Sequence, residues 1–355
     1  MNAHATFATV AIREADPRVD GARIAAFVAA HEEGTPFHLA EWSKGVAAGC
    51  RQRSHYLIAE RADGEIAGLV PLTAVSSPLF GKALVSAGFG VGGGILAHDL
   101  ATVRALADAA WSLAGRLGCS NVELRGGASP GAGWRSDDSS YLGFTRALGQ
   151  SDDAQLSAIP RKQRAEVRRS FGNDLEIATG TSARDLADHY AVYSESVRNL
   201  GTPVFPRTLF REVLRSLGTS ADILTVRHEG GAVASVLSLY WNGTVYPYWG
   251  GGTAAARALR ANDAMYFALM NHARARGCTR FDFGRSKVGT GAAAFKKNWG
   301  FEGEPLAYHS RTAEGAIRRE VNPLNSKYAA KIALWTRLPL PIANLIGPLI
   351  ARGLG

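Results

Sequence analysis

The chain has 355 residues, of which 46% are apolar and 20% charged, and its formal net charge is +9. This composition is that of an ordinary globular protein without low-complexity tracts, and its length predicts about two domains. The N-terminus, Met-Asn-Ala-His-Ala-Thr, has no basic region leading into an apolar run, so no secretory signal is expected. Cys50, Cys119 and Cys278 lie far apart without metal-ligand spacing. We therefore expect a cytoplasmic protein with no metal site, in which the thiols of Cys119 and Cys278 are buried and non-catalytic.

The first half begins with residues 56–72, which predict two strands around an Asp-Gly turn. A further strand leads into the glycine triplet Gly92–Gly94. A helix is predicted over roughly Leu100–Leu117, because its apolar residues recur on one stripe. Gly118 suits the position after the helix, since glycine readily adopts left-handed backbone angles.

The second half repeats this order. Residues 223–239 predict strands around a Gly-Gly turn, and the triplet Gly250–Gly252 precedes a helix capped by Asn262 or Asp263 and ended by Gly277. Gly277 lies 159 residues after Gly118, and each is followed by a cysteine and a strand.

A repeat of this length indicates a duplicated domain, because the units of solenoids are shorter. We predict an α+β fold of two tandem domains, over residues 1–150 and 151–322, each a mixed, mostly antiparallel sheet flanked by helices.

A basic helix is predicted at the start of the second half, after Pro160, where proline suits the first turn. Arg161, Arg164 and Arg168 share one face of this helix and could hold substrate phosphates through charge-assisted hydrogen bonds. The alternative is a solvated basic helix. No interleaved aromatic residues accompany these arginines, so sequence-specific nucleic-acid binding is not expected.

Segment 276–301 places charged residues where a strand ends and a glycine-rich loop begins, a usual location for functional sites. Asp282 lies between Phe281 and Phe283, so its side chain points away from both rings. It could act as a general base on an amine, or it could be a structural partner of a neighbouring arginine. The further candidate substrate contacts in this half are Arg285, Lys287, Trp299 and Tyr248.

The tail, residues 323–355, mixes basic and apolar residues and is interrupted by prolines. It is too short and too interrupted for a spanning helix. We expect it either to pack on the first domain or to contact the inner membrane surface with the help of Lys327, Lys331 and Arg337.

Segments 281–301 and 159–169 resemble the FemAB-related proteins associated with exosortase/PEP-CTERM systems of exopolysaccharide-producing bacteria. Pro36-Phe37-His38, Trp42 and Leu79-Phe80-Gly81 add to the resemblance, which runs from about residue 20 to the end. The wider group, the Fem peptidyltransferases and their relatives, consists of two GNAT (acyl-CoA N-acyltransferase) folds in tandem. Fem enzymes move an amino acid from aminoacyl-tRNA onto an amine of a peptidoglycan precursor. The resemblance therefore implies a transferase of the GNAT superfamily.

One motif allows a residue role to be carried over from the resemblance. Fem enzymes have an aromatic-Lys-x-x-aromatic-Gly turn, matched here by Phe295, Lys296, Trp299 and Gly300. The resemblance implies that Lys296 points into the active-site channel, where its ammonium would stabilise developing negative charge or a donor phosphate. The alternative is that the two aromatic residues belong to the core and Lys296 is a solvated turn lysine.

The phosphate-binding turn of GNAT enzymes is altered. Their usual motif, Arg/Gln-x-x-Gly-x-Gly/Ala, lets backbone N–H groups close on the pyrophosphate of CoA. Here Arg257 begins the nearest match, and Arg260 and Asn262 occupy the glycine positions. Arg257 and Arg260 remain candidate donor contacts, but their neighbourhood obstructs a backbone cradle. We expect no tightly bound cofactor, and an acyl donor as co-substrate, either aminoacyl-tRNA or acyl-CoA.

The resulting hypothesis is an acyl- or aminoacyltransferase that acts on an amino group of a cell-envelope or exopolysaccharide precursor. Its partners would be the activated donor and that precursor, at the cytosolic side. Two alternatives stay open: an inactive GNAT scaffold that binds a phosphorylated sugar or lipid, and an acetyl-CoA-dependent N-acetyltransferase.

Overall fold

The structure, a computed structural model, describes residues 10–77, 81–318 and 326–355, with only the backbone at 326–329. Leu79, Phe80 and the first residues of the tail, 323–325, therefore lie outside the described residues. The helices are α1 (Pro17–Ala30), α2 (Ala40–Cys50), α3 (Leu100–Leu117), α4 (Asp152–Ala158), α5 (Arg161–Ser170), α6 (Ala183–Asn199), α7 (Arg207–Leu217), α8 (Ala261–Ala275), α9 (Gly291–Asn298), α10 (Ser326–Arg337) and α11 (Leu340–Ala351).

The strands form three sheets among the described residues. They are β1 (Ala11–Glu14), β2 (Arg53–Glu60), β3 (Ile66–Ser77), β4 (Gly81–Ser86), β5 (Leu96–Ala97), β6 (Asn121–Arg125), β7 (Arg135–Asp137), β8 (Tyr141–Gly143), β9 (Thr145–Ala147), β10 (Glu176–Gly180), β11 (Ala221–His228), β12 (Gly231–Trp241), β13 (Thr244–Gly252), β14 (Arg280–Asp282), β15 (Ser286–Lys287), β16 (Glu304–Pro305) and β17 (Tyr308–Thr312).

Backbone contacts divide the chain into two units. Unit 1 comprises the chain up to Asp138, the segment beginning at Ala307 that contains β17, and Gly353–Gly355; unit 2 comprises Ser139–Leu306 and the helices α10 and α11. This division differs from the predicted boundaries at residues 150 and 322. Phe144 and Leu148 belong to the core of unit 2, whereas β17 pairs with β6 and β7 of unit 1.

Unit 1 contains a mixed sheet with the strand order β1-β2-β3-β4-β6-β17-β7, and β5 pairs with β3. The pair β4–β6 is parallel, and the other pairs are antiparallel. Helix α3 covers the predicted residues and buries Leu106, Ala110 and Leu113 against the sheet. Gly118 ends it with a φ of 67°, as the sequence predicts, and Asp99 caps its first turn.

Unit 2 contains a six-stranded sheet with the order β10-β11-β12-β13-β14-β9 and a small sheet with the order β15-β8-β16. Successive side chains of β12 point to opposite faces of the sheet and contact two different helices. Val236 lies in the core cluster that includes Met265 of α8, whereas the hydroxyl of Ser235 is 3.0 Å from Nδ1 of His189 on α6. Helices α6 and α8 therefore cover opposite faces of this sheet.

The predicted duplication is present in the two units. A hairpin, a third strand, a helix and a strand parallel to the third follow one another as β2-β3-β4-α3-β6 and as β11-β12-β13-α8-β14. Cys119 and Cys278 are both buried free thiols, as predicted.

Two details of the predicted repeat are wrong. Gly250–Gly252 are part of β13, but β4 ends at Ser86, well before Gly92. Helix α8 is not capped by Asn262 or Asp263, because both lie in its first turn; its N-cap is Arg260, in the left-handed conformation with a φ of 53°.

Helices α10 and α11 of the tail belong to unit 2, whereas its last three residues, Gly353–Gly355, belong to unit 1. Ala343, Gly347 and Ala351 are the buried residues of α11, and this helix contacts α6. Nδ2 of Asn344 donates to Oγ of Ser194 at 3.2 Å. Among the described residues, no helix is both long enough and apolar enough to cross a membrane.

Candidate functional site

The parallel strands β13 and β14 separate soon after they pair. Their register contains only the pairs Thr244–Arg280 and Val245–Phe281. Beyond them, the N–H of Phe283 donates to the carbonyl of Phe144 at 2.7 Å, so the chain after β14 is no longer bonded to β13. Asp282, at the end of β14, lies where the two strands diverge.

Asp282 is held between two core aromatic residues. Phe281 is 1% exposed and Phe283 5% exposed, and their packing fixes the strand that carries the carboxylate. Oδ1 of Asp282 accepts a hydrogen bond from the N–H of Gly284 at 2.7 Å. Burial raises the pKa of the Asp282 carboxyl, although the Gly284 N–H and the charges of Lys296 and Arg280 oppose that shift. A carboxylate of raised pKa is a stronger base than an exposed aspartate.

Lys296 lies on α9, and its side chain is only 8% exposed. Nζ donates to the carbonyl oxygens of Gly284 at 3.0 Å and Arg285 at 2.9 Å. Burial lowers the pKa of Lys296 to about 8, and the charge of Asp282 partly offsets this effect.

The position of Lys296 contradicts the alternative of a solvated turn lysine. The ammonium is not solvated, and two of its three N–H groups already bind loop carbonyls. Its contacts tie α9 to the loop that follows Asp282, so Lys296 orders this loop and supplies positive charge to the carboxylate.

Trp299 is fully buried, with 0% exposure, in the core of unit 2. Its ring packs with Phe295 and Tyr266, at centroid distances of 6.3 and 6.0 Å. The structure therefore places this predicted substrate contact in the packing beneath α9, because the two aromatic residues of the turn lie one helical turn apart on its inner side.

Other predicted contacts lie along the loop after β14. The guanidinium carbon of Arg285 is 4.8 Å from the centroid of the Tyr141 ring, and Lys287 pairs with the same tyrosine in the strands β15 and β8. Tyr248 is half-buried on β13 beside Trp249, with ring centroids 4.7 Å apart.

Three neighbours of the loop were not among the predicted site residues. Burial and the charge of Asp282 both raise the pKa of Tyr246, which places its phenol near that carboxylate. Tyr141 approaches from a strand 144 residues earlier than Arg285. Oγ of Ser286 is buried and has no hydrogen-bond partner among the described residues. Only Tyr246 had a sequence signal, as an aromatic residue before the glycine triplet.

The basic helix α5 has its own set of contacts. Arg161 and Arg168 are exposed, and Arg164 donates to the carbonyl of Ser157 at 3.1 Å. Helix α5 buries Gln163 and Val167 on its other side. The three arginines thus form a solvent-facing surface on α5, while Asp282 and Lys296 belong to the loop after β14.

The chain before α8 and the start of that helix are held by side-chain contacts from α6 and α5. Oε1 of Glu195 on α6 accepts from the N–H of Ala254 at 2.8 Å, seven residues before α8 begins. Arg260 is bound to Glu166 at 2.5 Å and to the carbonyl of Arg257 at 2.6 Å, and Arg257 itself is exposed.

The glycines before α8 have a packing reason. A Cβ at Gly251 would lie 2.6 Å from Cβ of Ser196 on α6, and one at Gly252 would lie 2.7 Å from Oδ1 of Asn262. Both distances are shorter than real Cβ contacts, so these residues are small because α6 and α8 approach the strand closely. Within the described ranges, no group of three or more His, Cys, Asp or Glu side chains is placed to hold a metal ion.

Residues 159–297 match the family model of the acetyltransferase (GNAT) domain. This stretch contains α5, Asp282 and Lys296. No curated protein matches the chain.

Solved structures are similar to this chain over most of its length. The crystal structure of FemX has 14% identity, covers 84% of this chain and 96% of its own, and has a TM-score of 0.67. The C-terminal domain of a protein assigned as a lysylphosphatidylglycerol synthetase from Agrobacterium fabrum has 12% identity, coverages of 84% and 93%, and a TM-score of 0.54. A tandem GNAT protein from the clavulanic acid biosynthesis pathway has 13% identity, coverages of 87% and 100%, and a TM-score of 0.55. The chain therefore has the predicted tandem GNAT fold.

Proposed function

We propose that the protein is an acyl- or aminoacyltransferase that modifies an amino group of a cell-envelope or exopolysaccharide precursor at the cytosolic side. The observation that carries the proposal is the Asp282 carboxyl, whose pKa is raised by burial, at the point where β13 and β14 diverge. The match of residues 159–297 to a GNAT domain supports acyl transfer in general. The names FemX and lysylphosphatidylglycerol synthetase favour an aminoacyl group, and the resemblance to exosortase-associated proteins favours a polysaccharide precursor.

In the proposed reaction the nitrogen of the acceptor amine attacks the carbonyl carbon of the donor ester. A C–N bond forms, the acyl–oxygen bond breaks, and the electron pair leaves with the donor oxygen. Asp282 takes the proton that the amine nitrogen loses. Lys296 keeps Asp282 ionised and holds the loop carbonyls of Gly284 and Arg285 in place. It is a positioning residue in this scheme, and its remaining N–H is available to developing negative charge.

We propose an aminoacyl ester such as aminoacyl-tRNA as the donor, because Arg260 and Asn262 occupy the positions where the CoA-binding motif has small residues. The exposed arginines Arg161 and Arg168, with Arg164 beside them, would contact the donor's phosphates through charge-assisted hydrogen bonds. Such contacts with a nucleic-acid backbone need no base recognition.

The test is a mass-shift assay of amine-bearing envelope and polysaccharide precursors incubated with the protein and either an aminoacyl-tRNA pool or acetyl-CoA. We expect acylation with the tRNA pool. Asp282→Asn should lower the rate by about 10²- to 10⁴-fold, the usual worth of a general base. Asp174→Asn is a matched control in unit 2, because Asp174 is exposed, and it should keep full activity. Undiminished transfer by a folded Asp282→Asn variant would contradict the assignment.

One observation favours a second candidate, an inactive scaffold that binds a phosphorylated sugar or lipid. Two N–H groups of Lys296 donate to backbone carbonyls, as those of a purely structural lysine would. A scaffold would produce no mass shift with either donor and would still bind a phosphorylated precursor. Acetyl-CoA-dependent acetylation would instead appear as a mass shift with acetyl-CoA that weakens when Arg257 or Arg260 is replaced by glutamine.

A further inference from the structure

Helix α11 turns its large apolar side chains outward. Its buried positions are the small residues Ala343, Gly347 and Ala351, whereas Ile342, Leu345 and Leu349 are 46%, 74% and 60% exposed. A helix on the surface of a water-soluble protein usually buries its large apolar residues and exposes polar ones.

The inversion has a structural origin in the packing of α11 on α6. A Cβ at Gly347 would lie 3.1 Å from the backbone nitrogen of Val204, in the segment between α6 and α7, which is closer than most Cβ contacts and favours a small residue. The bond from Asn344 to Ser194 fixes the rotation of α11 about its axis. The outward position of Ile342, Leu345 and Leu349 therefore follows from how the helix is anchored, and the three occupy the i, i+3 and i+7 positions that share one face of a helix.

The charge of the tail sequence favours an anionic partner for this face. Helix α11 contains no charged residue, and residues 326–355 contain four cations, Lys327, Lys331, Arg337 and Arg352, but no Asp or Glu. A second copy of the chain would bring two such acid-free basic segments together. An anionic bilayer suits both the apolar face and the positive charge, because it has negatively charged head groups directly above an apolar layer.

We propose that the outward face of α11, formed by Ile342, Leu345 and Leu349, docks on an anionic membrane surface. The helix lies parallel to the bilayer with these side chains at the boundary of head groups and acyl chains, and the neighbouring cations meet the anionic head groups. At twelve residues and a rise of about 1.5 Å per residue, α11 is about 18 Å long, too short to span a hydrocarbon core of roughly 30 Å. The docking does not depend on whether the chain transfers acyl groups.

Flotation of the full chain with vesicles tests this proposal. The vesicles consist of phosphatidylcholine alone or of phosphatidylcholine mixed with phosphatidylglycerol. The wild type should float with the mixed vesicles and much less with the neutral ones. The double variant Leu345→Ser/Leu349→Ser should lower the bound-to-free ratio at least about tenfold, because it removes apolar area from the boundary.

Two further variants separate the apolar contribution to membrane binding from the electrostatic one. Val19→Ser is the matched apolar control, since Val19 is 77% exposed on α1, and it should float like the wild type. Arg337→Gln should weaken binding to the mixed vesicles about two- to fivefold and leave the neutral ones unaffected.

The proposal is overturned if the wild type fails to float with the mixed vesicles, or if the leucine variant floats equally well. It is also overturned if light scattering shows a dimer that the leucine variant dissolves while no form of the chain floats, because a second copy would then cover α11. Since both leucines point outward, the leucine variant should keep the wild-type unfolding temperature, which excludes misfolding as the cause of lost binding.

Discussion

At the scale of single residues, Asp282 and Lys296 influence each other's proton affinity. Burial lowers the pKa of Lys296 to about 8 from the usual 10.5, and Asp282 keeps it from falling further. The same burial raises the pKa of Asp282, and Lys296 opposes that rise. Each charge therefore makes the other tolerable in a site with little water.

This coupling predicts a lysine that titrates near pH 8. A ¹³C NMR titration of the lysine Cε resonances should contain one with a midpoint of about 8, assigned because it disappears in Lys296→Arg. Asp282→Asn should move that midpoint lower, since the attracting carboxylate is gone. Lys297→Arg, a change at the exposed neighbour, should leave it in place. A Lys296 midpoint near 10.5 would contradict the burial argument.

The same shift has a consequence for stability, with a defined sign. An unfolded lysine keeps its proton up to about pH 10.4, whereas folded Lys296 releases it near pH 8. Between these two values the unfolded state binds more protons, so rising pH stabilises the folded state. The free energy of unfolding of the wild type, measured relative to Lys296→Met, should therefore increase from pH 8 to pH 10.

At the scale of secondary-structure elements, the glycines of β13 set how closely α6 packs. Gly251→Ala would place a methyl group 2.6 Å from Cβ of Ser196, and relieving that overlap should cost about 1–3 kcal/mol of unfolding free energy. Urea denaturation measures the cost. The double variant Gly251→Ala/Ser196→Gly should recover much of it, because the second change removes the opposing atoms.

Gly231→Ala is the control for this experiment. Gly231 also lies in the sheet of unit 2, but an added Cβ would meet only the His228 carbonyl, at an ordinary 3.5 Å. We expect a change within about 0.5 kcal/mol. A Gly251→Ala variant as stable as this control would show that α6 has room to move.

At the scale of the whole molecule, unit 1 is discontinuous in sequence. Strand β17 lies between β6 and β7, and it pairs with five residues of β6 and three of β7. Residues 141–147, in contrast, form β8 and β9, whose partners belong to unit 2.

A fragment of residues 1–150, the predicted first domain, should therefore not unfold cooperatively on its own. It lacks β17, so the backbone groups of β6 that β17 satisfies are left without that partner. A fragment in which an Asn-Gly turn joins Asp138 directly to Ala307, and which ends at residue 318, should regain a cooperative transition. The turn suits the antiparallel pair Asp137–Tyr308. Circular dichroism during thermal unfolding measures both fragments, and a sharp transition for 1–150 would contradict this view.

The sequence alone determined those features of the fold that depend on residues close together in the chain. The bounds of α3 follow from an apolar stripe and a terminal glycine, both of which are local signals in the sequence. The hairpins follow from their turns and from alternating apolar residues. The duplication was visible because both halves keep the same order of these local signals, and the position of Asp282 between two buried rings follows from the alternation of side chains along a strand.

Only the tertiary structure decided those features that depend on contacts between residues far apart in the chain. The bonds of Lys296 to two loop carbonyls, the carboxylate of Glu195 at Ala254, the place of β17 in unit 1 and the outward leucines of α11 all belong to this group. Short-range patterns carry no information on these contacts, because each depends on which surfaces pack against each other when the chain minimises its total free energy. A residue type indicates which hydrogen bonds or apolar contacts are possible, and only the packed fold selects among them.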